Sequence, residues 1–183
     1  MNTPTRPARP ARSAHRNAID AREAQRLDRQ LCFALYSTSL AMTKVYKPLL
    51  SPLGLTYPQY LAMLVLWEHG DVAVHELGER LFLDSGTLTP LLKRLQAAGY
   101  VERSRDAADE RRVRVVLTDA GRALQKQAAG VPLEIAKASG CGLGELVDLT
   151  ARLQSLRQNM IHREPANAGS FSTPSLPKTR KKA

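Results

Sequence analysis

Apolar residues recur at spacings of three and four along most of the chain. Leu27, Leu31, Leu35, Met42, Val45 and Leu49, with Thr38 in register, predict one long helix that Pro48 and Pro52 end. Gly54 marks a turn, and Pro58 suits the start of a second helix that runs through Trp67 to Gly70, capped by Thr56 or Tyr57. Val74, Leu77 and Leu81 predict a short third helix. Asp84, Ser85 and Thr87 are capping types ahead of a fourth, whose Leu88, Leu91, Leu92 and Leu95 form an apolar stripe ended by Gly99. The period then changes. Tyr100–Ser104 is strand-like, and Val113, Val115 and Leu117 alternate with Arg112, Arg114 and Val116 as in a half-buried strand. The eight residues RDAADERR between them are polar or small, which predicts a hairpin loop. Thr118 caps another helix that breaks near Pro132. A last helix follows Gly144, with Leu146, Leu149, Leu153, Leu156 and Met160 on one stripe.

Helix, short helix, turn, helix and charged hairpin is the order of a winged helix-turn-helix, so the fold class is mainly α with a small β-hairpin wing. The fourth helix turns its leucines inward, and its other face offers Gly86, Thr89, Pro90 and Lys93 to base edges, with Ser85 and Arg94 at the flanks for phosphates. A helix beginning at Ser85 would cost Pro90 one backbone hydrogen bond; one beginning near Thr87 would cost none. The Arg-rich hairpin tip suits a minor groove. The first and last helices are too long for a small winged domain to cover, which makes them the dimerisation candidates; a two-fold dimer would read a palindromic operator.

Charge sharpens this picture only in part. The 183-residue chain is 43% hydrophobic and 24% charged, with a formal net charge of +10. Residues 1–30 hold seven arginines against Asp20, Glu23 and Asp28, net +4; residues 163–183 hold five cations against Glu164, again +4. The stretch between is nearly balanced at 15 basic and 13 acidic residues, so an anionic partner is argued from local placement and not from the total. The expected organisation is a disordered basic tail over 1–19, a domain over 20–162 and a second basic tail over 163–183. Within the domain, 20–53 and 132–162 serve dimerisation and 56–118 serve DNA binding. No run of apolar residues is long enough to span a membrane, and the start of the chain lacks the apolar segment of a secretory signal. A cytoplasmic location is expected.

Three blocks carry a resemblance: GLTYPQYLAMLVLWEH (54–69), LFLDSGTLTPLLKRLQAAGYVER (81–103) and DERRVRVVLT (109–118). Together they resemble the MarR family and, within it, the OhrR branch of organic-hydroperoxide-sensing repressors, over residues 25–162. The resemblance implies a dimeric repressor whose sensor is one cysteine in the first helix, Cys32 here, beside tyrosines of the partner subunit, matched by Tyr36, Tyr46 and Tyr57. It also implies a two-cysteine mechanism, in which Cys141 of SGCGLGE closes an intersubunit disulfide; a small thiol such as bacillithiol or glutathione is the alternative cap. In the wing it makes Arg111 the minor-groove residue. Asp109 is expected to orient Arg111, with Glu110 and Arg112 pointing elsewhere.

Geometry adds one independent point. Cys32 and Tyr46 are 14 residues apart, or ~21 Å along one helix, so they cannot meet within one chain. Tyrosine hydroxyls donating to sulfur would favour the thiolate that attacks a peroxide, against the burial expected from Phe33, Leu35 and Trp67. Tyr36 and Tyr60 could equally be core rings with wet tips. Neither a metal nor another cofactor is expected. Three rival readings remain open: a MarR-type repressor released by a non-covalent lipophilic or phenolic ligand, a thiol peroxidase, and an architectural DNA-coating protein, suggested by the basic tails. Against the second, the sequence has no CxxC, and its four histidines form no Cys–His–Asp pattern.

Overall fold

The computed structural model describes residues 21–105, 109 and 112–162. The two basic tails and the wing-tip residues 106–108, 110 and 111 lie outside that range. The order of elements is α1 (Ala21–Ala24), α2 (Leu31–Leu50), α3 (Tyr57–His69), β1 (Asp71–Ala73), α4 (Val74–Leu81), α5 (Ser85–Ala97), β2 (Val101–Arg105), β3 (Val113–Leu117), α6 (Asp119–Ala128), α7 (Val131–Ser139) and α8 (Leu143–Ile161). This is the expected winged helix-turn-helix. The chain divides into two compact units, one ending at Val131 and one beginning at Pro132.

Several boundaries differ from the sequence reading for identifiable reasons. The first long helix does not begin at Leu27: Leu27–Arg29 is a 3-10 turn, and Gln30 is extended at φ −86°, so α2 starts at Leu31. Nor does Pro48 end it. The helix runs on to Leu50, whose complete burial outweighs the one bond the proline cannot donate. The wing is not a two-stranded hairpin. Asp71–Ala73 forms a third strand, and the antiparallel order is β1-β3-β2, with Ala73 opposite Arg114 and Arg105 opposite Val113. After Thr118 the helix breaks at Ala129–Gly130, and Pro132 lies inside the first turn of a separate α7. The last helix starts at Leu143, because Glu145 accepts the Gly142 N–H at 2.8 Å and fixes the first turn ahead of Gly144.

The core of the first unit is aliphatic. Leu50, Met63, Leu66, Leu77, Leu88, Leu92, Leu95, Val101 and Val115 are all fully buried, so α3, α4 and α5 close over the inner face of the sheet. Caps set the helix starts. Thr56 donates its backbone N–H to Gln59 at 2.7 Å, and Thr118 Oγ1 accepts from Gly121 N–H at 3.0 Å. By contrast, Leu50 is the sole buried residue of α2, and α8 has none.

One close crossing holds the wing to the helices. A Cβ on Gly121 would lie 2.1 Å from the Tyr100 carbonyl oxygen, a contact that only glycine permits. Gly121→Ala is therefore expected to lower stability by at least about 2 kcal/mol through backbone displacement. Gly130→Ala, with nothing within 4 Å of its Cβ, should change it by less than about 0.5 kcal/mol. Urea midpoints of the two variants against the parent check both; equal midpoints would show the crossing to be slack.

Candidate functional site

The helix-turn-helix is built on α4 and α5. Asp84 caps α5, its Oδ1 accepting from Thr87 N–H at 2.8 Å and its Oδ2 from the Thr87 hydroxyl at 3.2 Å. These bonds, the backbone one first, hold the Asp84 carboxyl below the usual carboxylate range, so the cap stays charged through neutral pH. Burial of Leu88, Leu91, Leu92 and Leu95 fixes the rotation of α5. Ser85, Gly86, Thr87, Thr89, Pro90, Lys93 and Arg94 all remain exposed, as the stripe required. Thr87 differs from the others in that its hydroxyl proton is committed to the cap. The open question about Pro90 resolves toward a cost: the helix starts at Ser85, so the bond from position 90 to the Gly86 carbonyl is missing.

The wing root is braced by pairs that no local pattern announced. Asp71 on β1 receives the Arg114 Nε–H with both carboxylate oxygens at 2.9 Å, across 43 residues of sequence. Arg103 on β2 donates to Gln96 in the last turn of α5 at 2.7 Å, tying the strand to that helix. The expectation that Arg112 points elsewhere is corrected. Arg112 Nε lies 3.3 Å from Asp109 Oδ2, and its backbone N–H donates to the Asp109 carbonyl at 2.8 Å. Arg111 falls outside the described residues.

The candidate sensor residues lie on two elements of the first unit and one loop of the second. Cys32 is the second residue of α2 and is exposed; Tyr36, one turn on, is 62% exposed. Helix α2 is continuous, so the ~21 Å separation from Tyr46 holds. Among the described residues of the chain, no hydroxyl donates to the Cys32 sulfur. Tyr46 instead packs on Tyr57 with ring centroids 4.6 Å apart and on Tyr60 at 5.9 Å; Tyr60 continues to Trp67 at 6.1 Å. Trp67 gives its indole N–H to the Gly121 carbonyl at 2.9 Å, so it joins α3 to α6. Cys141 is exposed between Gly140, at φ 68°, and Gly142; its N–H is held by Ser139 Oγ at 3.2 Å.

Burial, reinforced by Tyr57 and Tyr60, pushes the Tyr46 hydroxyl up to about 12; burial alone raises Tyr57, and burial with Tyr57 raises Tyr60. All three therefore stay protonated, and able to donate, well above neutral pH. A cleft of about 370 Å³ opens beside this cluster, walled by Leu55, Tyr57 and Pro58 and edged by Lys44 and Lys47. Among the described residues no group of His, Cys, Asp or Glu is placed to hold a metal ion, and no single helix is long and apolar enough to cross a membrane.

A family model described as transcriptional regulator SarA/Rot matches residues 44–127. The HTH-type transcriptional regulator TtmR of Methylorubrum extorquens is 48% identical over 158 residues, 86% of this chain and 79% of its own. The organic hydroperoxide resistance transcriptional regulator of Bacillus subtilis is 49% identical over 137 residues, 73% of this chain and 93% of its own. Among solved structures, reduced AbfR bound to DNA aligns with a TM-score of 0.64 at 35% identity, covering 76% of this chain and 98% of AbfR, a Staphylococcus epidermidis protein. Overoxidised AbfR, also bound to DNA, gives 0.62 at 37% identity, with the same coverage. Its disulfide form gives 0.51 at 38% identity, covering 74% of this chain and 95% of AbfR.

The tyrosine cluster can be tested directly. Of the five tyrosines, at least Tyr46 should ionise late, so absorbance at 295 nm should keep rising to a final step near pH 12, and Tyr46→Phe should remove that step. The sign follows from a raised pKa: the folded chain holds its protons longer than the unfolded one, and loses stability as pH climbs from 10 toward 12. Five tyrosines titrating together near 10 would contradict the packing.

Proposed function

The chain belongs to the MarR family of winged-helix transcriptional regulators, with an organic hydroperoxide regulator among its relatives, and from that premise we propose a homodimeric cytoplasmic repressor that releases a palindromic operator when Cys32 is oxidised by an organic hydroperoxide. One observation carries the reading. Helix α2 exposes Leu31, Phe33, Leu35, Leu40, Met42 and Val45 along with Cys32, while Tyr46 lies ~21 Å from that sulfur's end of the same helix. A second copy laid antiparallel along α2 covers the apolar surface and brings its Tyr46 and Tyr57 to Cys32. The exposed stripe of α8, including Leu149 and Leu153, calls for the same cover.

On DNA, α5 enters the major groove with Gly86, Thr89, Pro90 and Lys93 toward the bases. Ser85 and Arg94 flank them for phosphates, Thr87 completes the interface at the cap, and Asp109 and Arg111 serve the wing in the minor groove. In the switch, the Cys32 thiolate attacks the terminal oxygen of the hydroperoxide. The O–O bond breaks, the alkoxide takes a proton and leaves as the alcohol, and sulfur is left as a sulfenic acid. The Cys141 thiolate of the partner subunit then attacks that sulfur, forming the disulfide and breaking the S–O bond; the hydroxide released takes a proton from solvent and leaves as water. The chemistry is a stoichiometric signal that needs no metal or cofactor.

The AbfR states support the disulfide as the releasing step: that protein is DNA-bound when reduced and when overoxidised, and this chain fits its reduced shape better than its disulfide shape. Pairing requires Cα atoms within roughly 7 Å, and the glycines flanking Cys141 give its loop the freedom to approach. The cleft beside Tyr57 favours the second reading, release by a non-covalent lipophilic or phenolic ligand.

Light scattering should give twice the 20.2 kDa chain mass. One equivalent of an organic hydroperoxide should weaken operator binding by the parent roughly tenfold or more and leave Cys32→Ser unchanged. Cys141→Ser should lose the crosslink seen on a non-reducing gel. Equal binding before and after oxidation removes the redox switch, and a Cys32→Ser protein that still lets go of DNA points to the ligand reading.

A further inference from the structure

Cys141 is the middle residue of the three-residue link between α7 and α8, and every amide of that link is tied. Gly140 N–H donates to the Lys137 carbonyl at 3.2 Å, Cys141 N–H to Ser139 Oγ at 3.2 Å, and Gly142 N–H to Glu145 Oε2 at 2.8 Å. Ser139 does more than accept one bond. Its hydroxyl donates to the Ala136 carbonyl at 2.7 Å, which fixes that oxygen on the last turn of α7, and its own carbonyl accepts from the Cys141 thiol at 3.6 Å. One residue thus holds Cys141 by backbone and side chain together, folded back on the end of α7. Gly140, left-handed at φ 68°, allows that fold. The thiol is exposed to solvent yet turned onto a backbone carbonyl.

Attack on a sulfenic acid needs a different arrangement. A thiolate has no proton to give, so the contact with the Ser139 carbonyl belongs to the resting thiol, and a sulfur that bonds to another subunit must leave it. The Cys141 N–H must also part from Ser139 for the link to shift, and the flanking glycines then let the backbone follow. We propose that Ser139 is a positioning residue for the redox switch: a latch that holds Cys141 on α7 and sets the rate of disulfide formation, without acting on the step at Cys32. The proposal rests on the two-cysteine reading above. In the step it governs, Cys141 gives its thiol proton to solvent and its sulfur bonds to the sulfur of Cys32 of the partner subunit. The S–O bond breaks, and the hydroxide takes a proton and leaves as water. The oxidant for both sulfurs is the organic hydroperoxide, already reduced to its alcohol. The latch makes the two steps separable, since sulfenic acid forms at one rate and the link opens at another.

The test uses the full-length protein. With Cys32→Ser in place Cys141 is the one remaining thiol, and dithionitrobenzoate should label it about fivefold faster when Ser139→Ala is added, the size of one exposed hydrogen bond. With both cysteines present, cumene hydroperoxide at concentrations that saturate the rate should crosslink Ser139→Ala about fivefold faster than the parent on a non-reducing gel. Trapping of the Cys32 sulfenic acid by dimedone, read with Cys141→Ser in place, should be unchanged by Ser139→Ala. Ser139→Thr keeps the hydroxyl and should return both rates to the parent's. Ser139→Ala puts a good helix former at an exposed helix end, so it should fold and melt with the parent. Parent-level labelling or crosslinking in Ser139→Ala overturns the latch, as does a slower rate in either, since the bonds would then present the thiol and not withhold it. Acceleration in Ser139→Thr, a faster sulfenic acid step or a melting temperature several degrees lower overturns it too, assigning the effect to side-chain bulk, to Cys32 or to general loosening. A parent that forms the Cys32 sulfenic acid but never crosslinks removes the two-cysteine reading itself, and the latch with it, whatever the labelling shows.

Discussion

The contact on which the rest of the first unit depends is the crossing of Gly121 over the Tyr100 carbonyl. Four elements converge on these two residues. The Tyr100 carbonyl accepts Thr118 N–H at 3.1 Å, closing the base of the wing, and the Gly121 carbonyl accepts the Trp67 indole at 2.9 Å, fixing the end of α3 to the start of α6. The Tyr100 hydroxyl donates to Leu53 O at 3.1 Å, just beyond the end of α2. A side chain at 121 would prevent the approach, so one absent Cβ lets the foot of α2, the root of the wing and two helices share a single joint. Close-packed joints of this kind transmit displacement because they do not compress. In the proposed switch, movement of the Cys32 helix reaches the wing through Leu53 and Tyr100, a route of two packed residues and one hydrogen bond.

The tyrosines meet a different constraint. A hydroxyl stabilises a thiolate by keeping its own proton, and burial of Tyr46, Tyr57 and Tyr60 against one another favours that protonated form. Mutual packing also orients the rings before any partner arrives, which lowers the entropy lost on assembly. The chain thus carries the donor half of the proposed sensor folded and ready, and the acceptor half, Cys32, exposed at the opposite end of the same helix. In the proposed sensor neither half is complete alone, which would couple peroxide chemistry to dimer geometry.

How much of this was legible in the sequence follows from the range of each interaction. The leucine stripe at 88, 91, 92 and 95, the caps at Asp84 and Thr118 and the stop at Gly99 are set by neighbours within one or two turns, and all stand in the structure as the pattern implied. Strand β1 has three residues, too few for an alternation to register, and its role depends on pairing with β3 more than 40 residues later. The Asp71–Arg114 pair has the same long-range character, whereas Gln96–Arg103 spans only seven residues but joins a helix to a strand across the turn at Gly99. The Trp67 N–H finds its acceptor at Gly121, 54 residues on, a pairing no local pattern encodes. Tyr60 reads from sequence as a core ring, and its place beside Tyr46 depends on the angle between α2 and α3. Arg112 departs from the strand register because it pairs with Asp109, three residues before it.

The local rules that this chain obeys and breaks are distributed unevenly. Where backbone crowding is severe, at Gly78 and Gly121, it uses glycine, and where helices begin it uses Asp84, Thr118 and Glu145 as caps. Among the described residues, proline stands beyond the first turn of a helix twice, at Pro48 in α2 and Pro90 in α5, and both side chains are exposed. Each removes one helix bond. At Pro48 the helix continues to the fully buried Leu50, which offsets the loss. Pro90 lies on the face of α5 turned away from the leucine stripe, where it fixes its own φ and stiffens that face. A stiff surface loses little entropy on binding. In the proposed DNA-binding reading, the recognition face carries that stiffness beside Lys93 and Arg94.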